Sequence, residues 1–176
     1  MSAKGVTVWF TGLPGAGKST VARLLAARLI ARGVPTEVLD GDAVRTSLSR
    51  DLGFTRRDRD SNVARIGFVC GLLTRNGITA IAAAVAPYAE ARAALRAEIG
   101  DFLEIHVATP LEVCEARDRS GRYAAARRGE LQNFTGVSDP YEAPAAPDLR
   151  LDLAERSAEA CAVEVEALLE TRGYLG

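Results

Sequence analysis

Residues Val6–Thr20 read VTVWFTGLPGAGKST. Val6, Val8, Trp9 and Phe10 are β-branched or aromatic, an apolar run that suits a strand covered on both faces. Gly12, Gly15 and Gly17 follow, then Lys18, Ser19 and Thr20. The spacing Gly12-x-x-x-x-Gly17-Lys18-Ser19 meets the phosphate-loop (P-loop) pattern in full, in the strand–turn–helix setting that the pattern requires. Glycines let the backbone curl until successive N–H groups point inward at phosphate oxygens, and the following helix adds its positive end. Gly12, Leu13, Pro14, Gly15, Ala16, Gly17, Lys18, Ser19 and Thr20 are therefore the expected ATP-binding residues. Lys18 would bridge the β- and γ-phosphates, and the Ser19 hydroxyl would ligate Mg²⁺. Lysine occurs only at Lys4 and Lys18; every other basic residue is Arg, so an ammonium stands where a compact charge suits phosphate.

Outward from this loop, Val21, Leu24, Leu25, Ala27 and Leu29 recur at helical spacing as far as Arg32, and Gly33 and Pro35 stop the helix. Thr36–Leu39 is a second strand. It ends in Asp40-Gly41-Asp42, at the strand edge where open α/β sheets bind ligands. Asp42 reads as the N-cap of the segment containing Val44, Arg45 and Leu48, or as a catalytic carboxylate; the two are compatible. Thr55-x-x-Asp58 opens a helix from about Arg56 to Asn76. Arg59, Asn62 and Arg65 share one side of it, as a solvated face or as a grip on an anion. Ile78–Ala83 and Phe102–Val107 are the third and fourth strands, with a helix over Ala89–Ile99 between them. Thr109-Pro110-Leu111-Glu112 predicts a capped helix start. Leu149–Leu153 returns as a fifth strand and Ser157–Arg172 closes as a helix.

Between them, Arg117–Pro147 is polar, rich in Arg, Gly and Pro, and weakly periodic, which reads as a lid. The alternation predicts one domain over residues 1–176: an α/β, three-layer P-loop NTPase fold with a parallel sheet of about five strands, helices on both faces and a lid at about 117–147. The formal net charge of -1 gives no field that would draw the chain to nucleic acid or a membrane. No apolar run approaches the ~18 residues of a bilayer span, and the N-terminus lacks the pattern of a signal peptide. Cys70, Cys114 and Cys161 form neither a metal motif nor a disulfide framework, and read as buried thiols of a cytoplasmic protein. His106, the one histidine, has no partner set and reads as structural.

The stretches GLPGAGKST, LDGDAVR, RDLGF, DRDSNVARIG, APY, TPLEVCEARD and NFTGVSDPYEAP together resemble adenylylsulfate kinase over nearly the whole chain. That family phosphorylates the ribose 3′-hydroxyl of adenosine 5′-phosphosulfate with ATP and Mg²⁺. The resemblance implies that Asp42 takes or orients the acceptor's proton while Asp40 lies nearer the metal. It implies that Arg45, Arg59 and Asn62 bind the acceptor's phosphosulfate and ribose, that Val85 and Ala86 touch its adenine, and that Phe54 and Phe134 stack on that adenine. Read alone, each aromatic is a loop anchor packed back onto the core; the pair in two motifs of one family turns the reading to stacking. The resemblance also implies a homodimer.

Three departures stand out. The family's usual Ile-Ser-Pro-Tyr is Val85-Ala86-Pro87-Tyr88, so no phosphoserine can form at Ala86 and transfer is expected to be direct. The usual Lys-Lys pair after the lid tyrosine is replaced: Tyr123 is followed by Ala124-Ala125-Ala126 and then Arg127-Arg128. Gln132 replaces a usual basic residue. Arg119, Arg122, Arg127 and Arg128 are the candidates to contact the transferring phosphoryl group, with Arg127 the expected catalytic one. The competing readings are a kinase of a related nucleotide or small metabolite, and a nucleotide-binding module without turnover.

Overall fold

In a computed structural model, which describes residues 4–176, β1 (Val6–Thr11) forms the middle of a five-stranded sheet of order β2-β3-β1-β4-β5. All pairings are parallel, with Val8 opposite both Ile81 of β3 (Thr79–Ala83) and Leu103 of β4 (Phe102–Val107). A strand flanked on both edges and covered on both faces has no wet side, which is why its apolar run is unbroken. Period-two alternation then divides it. Val6, Val8 and Phe10 enter one core with α1 (Lys18–Ala31) and α7 (Ala158–Thr171), while Trp9 enters the other with α3 (Arg56–Arg75) and α4 (Ala89–Ile99). Helices on both faces make the three layers.

The two edge strands are β2 (Thr36–Asp40) and the short β5 (Leu149–Leu151). β2 lies beside β3, not β1, so the chain crosses over β3 and later returns to the other side of β1. The strand order reverses at this place, and a crevice opens at the carboxyl ends there. The α1–α7 seam is held by ion pairs from Arg28 and Arg32 to Glu166, itself only 7% exposed.

The helix starts differ from expectation in two places. Asp40, not Asp42, caps the short α2 (Gly41–Thr46), its carboxylate accepting from the Asp42 N–H at 3.0 Å. Thr109 does not cap α5 (Leu111–Arg117); its hydroxyl instead donates to the Ala16 carbonyl at 2.7 Å, tying β4 to the P-loop. The Thr55 cap of α3 holds, accepting from Asp58 N–H at 3.2 Å. The segment 117–147 carries an unforeseen helix, α6 (Arg122–Arg127), opened by the Asp118 carboxylate accepting from the N–H of Ser120 and Tyr123. Tyr123 and Phe134 of this segment are buried in the α1-side core, edge to face at 4.9 Å.

All three cysteines are unpaired and buried. Burial pushes the Cys70 thiol up to about 12 and raises those of Cys114 and Cys161. His106 stacks on Tyr141, and burial, helped by Arg150 and Arg92, lowers its imidazole to about 4, so it stays neutral near pH 7. No helix among the described residues is long and apolar enough to cross a membrane.

Candidate active site

The P-loop curls where β1 ends because two of its glycines have no room for a side chain. A Cβ at Gly12 would lie 2.4 Å from the Val107 carbonyl oxygen of β4. Gly17 has φ +103, and a Cβ there would meet Leu153 at 2.5 Å. Lys18 opens α1 with its amine drawn inward, donating to the carbonyls of Gly12 and Leu13 at 3.0 and 2.7 Å. Burial lowers this amine to about 8, although the Cys114 thiol, Asp42 and Asp40 pull it back up. Tyr123 braces the loop from outside, donating its hydroxyl to the Pro14 carbonyl at 2.6 Å.

The P-loop forms one wall of a cleft of about 720 Å³. Because the cap of α2 is Asp40, the Asp42 carboxylate is left exposed in the cleft. Farther along, Arg45 donates to the carbonyls of Leu52 and Gly53 at 3.3 and 2.5 Å and lies 4.5 Å over the Phe54 ring. Arg59 donates to the carbonyls of Phe54 and Asn133 at 3.1 and 2.6 Å, joining the two aromatic loops, with Phe54 at 5.4 Å. Burial lowers both guanidiniums from their ordinary value. Phe54 is 48% exposed while Phe134 is 5% exposed, so one aromatic offers an open face and the other is seated on the core.

Two buried polar atoms lining this region, Asn62 Oδ1 and Thr135 Oγ1, have no hydrogen-bond partner among the described residues. A buried acceptor and hydroxyl left unpaired at a cleft wall suit a ligand that completes them. Two non-glycine residues with positive φ, Ala86 at 44° and Asn133 at 54°, line the same cleft.

Of the residues anticipated from sequence, the cleft gathers Pro14, Gly15, Gly17, Lys18, Ser19, Thr20, Asp40, Asp42, Arg45, Phe54, Arg59, Asn62, Val85, Ala86 and Phe134. Gly12, Leu13 and Ala16 belong to the loop but do not line the cleft, and the carbonyls of Gly12 and Leu13 hold Lys18. Arg127 is not in the cleft; its guanidinium pairs with Glu115 at 3.1 Å on the outer side of α6. Arg122, at the start of the same helix, does line the cleft and lies 5.3 Å over the Phe134 ring. Five residues at ~100° each separate the two by about 140° around the helix, so they face different ways. The run Ala124-Ala125-Ala126 was the signal for α6, and without that helix nothing chose between these arginines. Thr135 was also missed, although it directly follows Phe134.

The charged lining is Lys18, Arg45, Arg59 and Arg122 against Asp40 and Asp42. A cleft with that excess of cations, a P-loop at one end and an exposed carboxylate with aromatics at the other suits anionic ligands that carry flat rings. A sequence profile described as adenylylsulphate kinase matches residues 4–152. The chain belongs to the adenylylsulphate kinase family. The adenylyl-sulfate kinase of Halothermothrix orenii is 53% identical over 172 residues, covering 98% of this chain and 93% of that protein. That of Synechococcus sp. strain JA-3-3Ab is 51% identical over 175 residues, covering 99% of each. Among solved structures, the Mycobacterium tuberculosis APS kinase CysC, in complex with AMPPNP and APS, superposes with a TM-score of 0.90 at 47% identity, over 95% of this chain and 98% of that one. Members of this kinase family thus share both sequence and fold with the chain along nearly its full length.

Proposed function

We propose that this protein transfers the γ-phosphoryl group of ATP to the ribose 3′-hydroxyl of adenosine 5′-phosphosulfate, giving ADP and 3′-phosphoadenosine 5′-phosphosulfate. The observation that carries this reading is the single cleft that joins the P-loop to Asp42, Arg45, Phe54, Arg59, Asn62 and Phe134. The similarity to a kinase solved with an ATP analogue and APS supports it.

The geometry supports the following roles. Residues Gly12–Thr20 cradle the triphosphate, and Lys18 exchanges its two carbonyl partners for phosphate oxygens. Ser19 lines the cleft with Asp40 and Asp42 opposite, all oxygen donors, which fits a magnesium ion that takes its remaining ligands from phosphate and water. Ser19, with Asp40 and Asp42 near it, would hold the ion, which would supply positive charge against the phosphates. Asp42 accepts the proton of the attacking 3′-hydroxyl as the oxygen bonds to Pγ and the Pγ–O bond to ADP breaks. Ala86 offers no oxygen to carry the phosphoryl group, so the transfer is direct. Arg122, rather than Arg127, supplies the contact to the charge that builds during transfer.

At the acceptor end, Arg45, Arg59 and Asn62 bind the phosphosulfate and ribose. Phe54 and Phe134 enclose the adenine beside Val85 and Ala86. The whole of 1–176 acts as one domain with residues 117–147 as its lid, in a cytoplasmic homodimer. Coupled measurement of ADP formation tests the activity: release that depends on adenosine 5′-phosphosulfate is expected, and release indifferent to it overturns the reading. Isolation of a phosphorylated protein that passes its phosphate to the acceptor would refute direct transfer. Sedimentation tests the dimer.

A further inference from the structure

Arg92 lies on α4, outside the cleft, and is 2% exposed. A cation buried that deeply is costly unless its donors are matched. Here the two terminal nitrogens are matched to backbone, while Nε has only the charge of Glu104 near it and no hydrogen-bond partner among the described residues. Nη1 donates to the Ala86 carbonyl at 2.6 Å and Nη2 to the Glu142 carbonyl at 2.5 Å, while Nε faces the Glu104 carboxylate at 3.4 Å. Ala86 is the residue whose φ of 44° an L side chain rarely adopts, and it is part of the cleft wall.

The neighbouring bonds have the same destination. Thr11 Oγ1 donates to the Val85 carbonyl at 2.6 Å. The Glu142 N–H donates to the Pro87 carbonyl at 2.8 Å, and the Glu142 carboxylate accepts from the Ala89 N–H at 2.7 Å. Residues 85–89 are thus pinned through their main chain between β1 and the end of the lid segment. Arg92 is the cation of that set and joins the Ala86 and Glu142 carbonyls at once.

We propose that Arg92 is a positioning residue for the acceptor. It holds Ala86 in its left-handed conformation and fixes Glu142 beside it, so that the Val85–Pro87 backbone presents a set surface to the acceptor nucleoside. The inference rests on the kinase reading above. It also separates the two ends of the cleft, because none of Arg92's bonds reaches the P-loop. A planar fork satisfies both carbonyls together, and a lysine ammonium does not reproduce that fork.

The test is steady-state kinetics on the full chain as Arg92→Lys and Arg92→Gln, with nucleotide affinity measured separately by titration of an ATP analogue. The KM for adenosine 5′-phosphosulfate is expected to rise about tenfold in either variant, as for loss of a charge-assisted hydrogen bond, with the nucleotide Kd within about twofold. Ala86→Gly added to Arg92→Lys should recover part of the rise, since glycine takes positive φ without steric cost. A folded variant with unchanged acceptor KM, equal losses at both ends, or no recovery on adding Ala86→Gly would overturn the role of Arg92. Absence of acceptor-dependent turnover in the unsubstituted protein would instead overturn the kinase reading.

Discussion

At one end of the cleft the groups proposed to meet phosphate come from the consecutive residues Gly12–Thr20; at the other they come from segments scattered between Asp40 and Thr135. The first end is shaped by backbone. Its curvature is fixed by the missing side chains at Gly12 and Gly17, and one lysine is tucked beneath it. The second end is shaped by guanidiniums that grip main-chain carbonyls, Arg45 on Gly53 and Arg59 on Asn133. A local loop can be preorganised by a short sequence. A surface made of distant segments needs side chains that tie those segments together, and the same arginines are then at hand to be turned onto an anionic ligand. The P-loop end is thus ordered by its own main chain, whereas the other end is ordered by side chains that bind separate segments together.

The largest expected break in this comparison is Lys18→Met, which should cut kcat by about 10²–10³-fold, as for loss of one preorganised electrostatic contact, while acceptor KM changes little. Thermal unfolding of the same variant should show no loss of stability, because the buried ammonium it removes is held below its ordinary pKa. Next is Phe54→Ala. Losing a stacking face is worth roughly 1–3 kcal/mol, so acceptor KM should rise by about 5- to 150-fold with nucleotide Kd unchanged.

A smaller effect is pH dependence confined to the donor end. The Lys18 amine at about 8 lies below its ordinary 10.5, so between those values the folded chain carries fewer protons than the unfolded chain. That strain is fully present below pH 8 and is relieved as pH rises towards 10.5. Triphosphate favours the ammonium, so nucleotide affinity should weaken above about pH 8 with proton uptake on binding, measurable by calorimetry in buffers of different ionisation heat. The smallest is Arg127→Ala, which removes an exposed ion pair to Glu115. It should change turnover less than about twofold and leave stability nearly unchanged. A large loss of turnover would return Arg127 to the chemistry.

The five strands, the order of elements and the P-loop were legible because hydrophobic period and glycine spacing are local signals. The limits appear where a side chain chooses between near and distant partners. Thr109 has the sequence of a cap yet bonds Ala16, 93 positions away in the chain. Asp40 and Asp42 are both able to cap α2, and only backbone geometry selects Asp40. In the lid segment, Asp118 starts a helix that polar, glycine-rich composition concealed, and with it went the distinction between Arg122 and Arg127. Arg92 left no mark at all, since its hydrogen bonds are to carbonyls that every residue possesses.

The three sealed thiols sit on both sides of the sheet. Cys114 and Cys161 belong to the core beneath the P-loop side, and Cys70 to the core beneath α3 and α4. While the chain is folded they are shielded from alkylating reagents, so each becomes a clock for the opening of its own half. Timed labelling with and without nucleotide would then read, in one experiment, which face of the sheet breathes first.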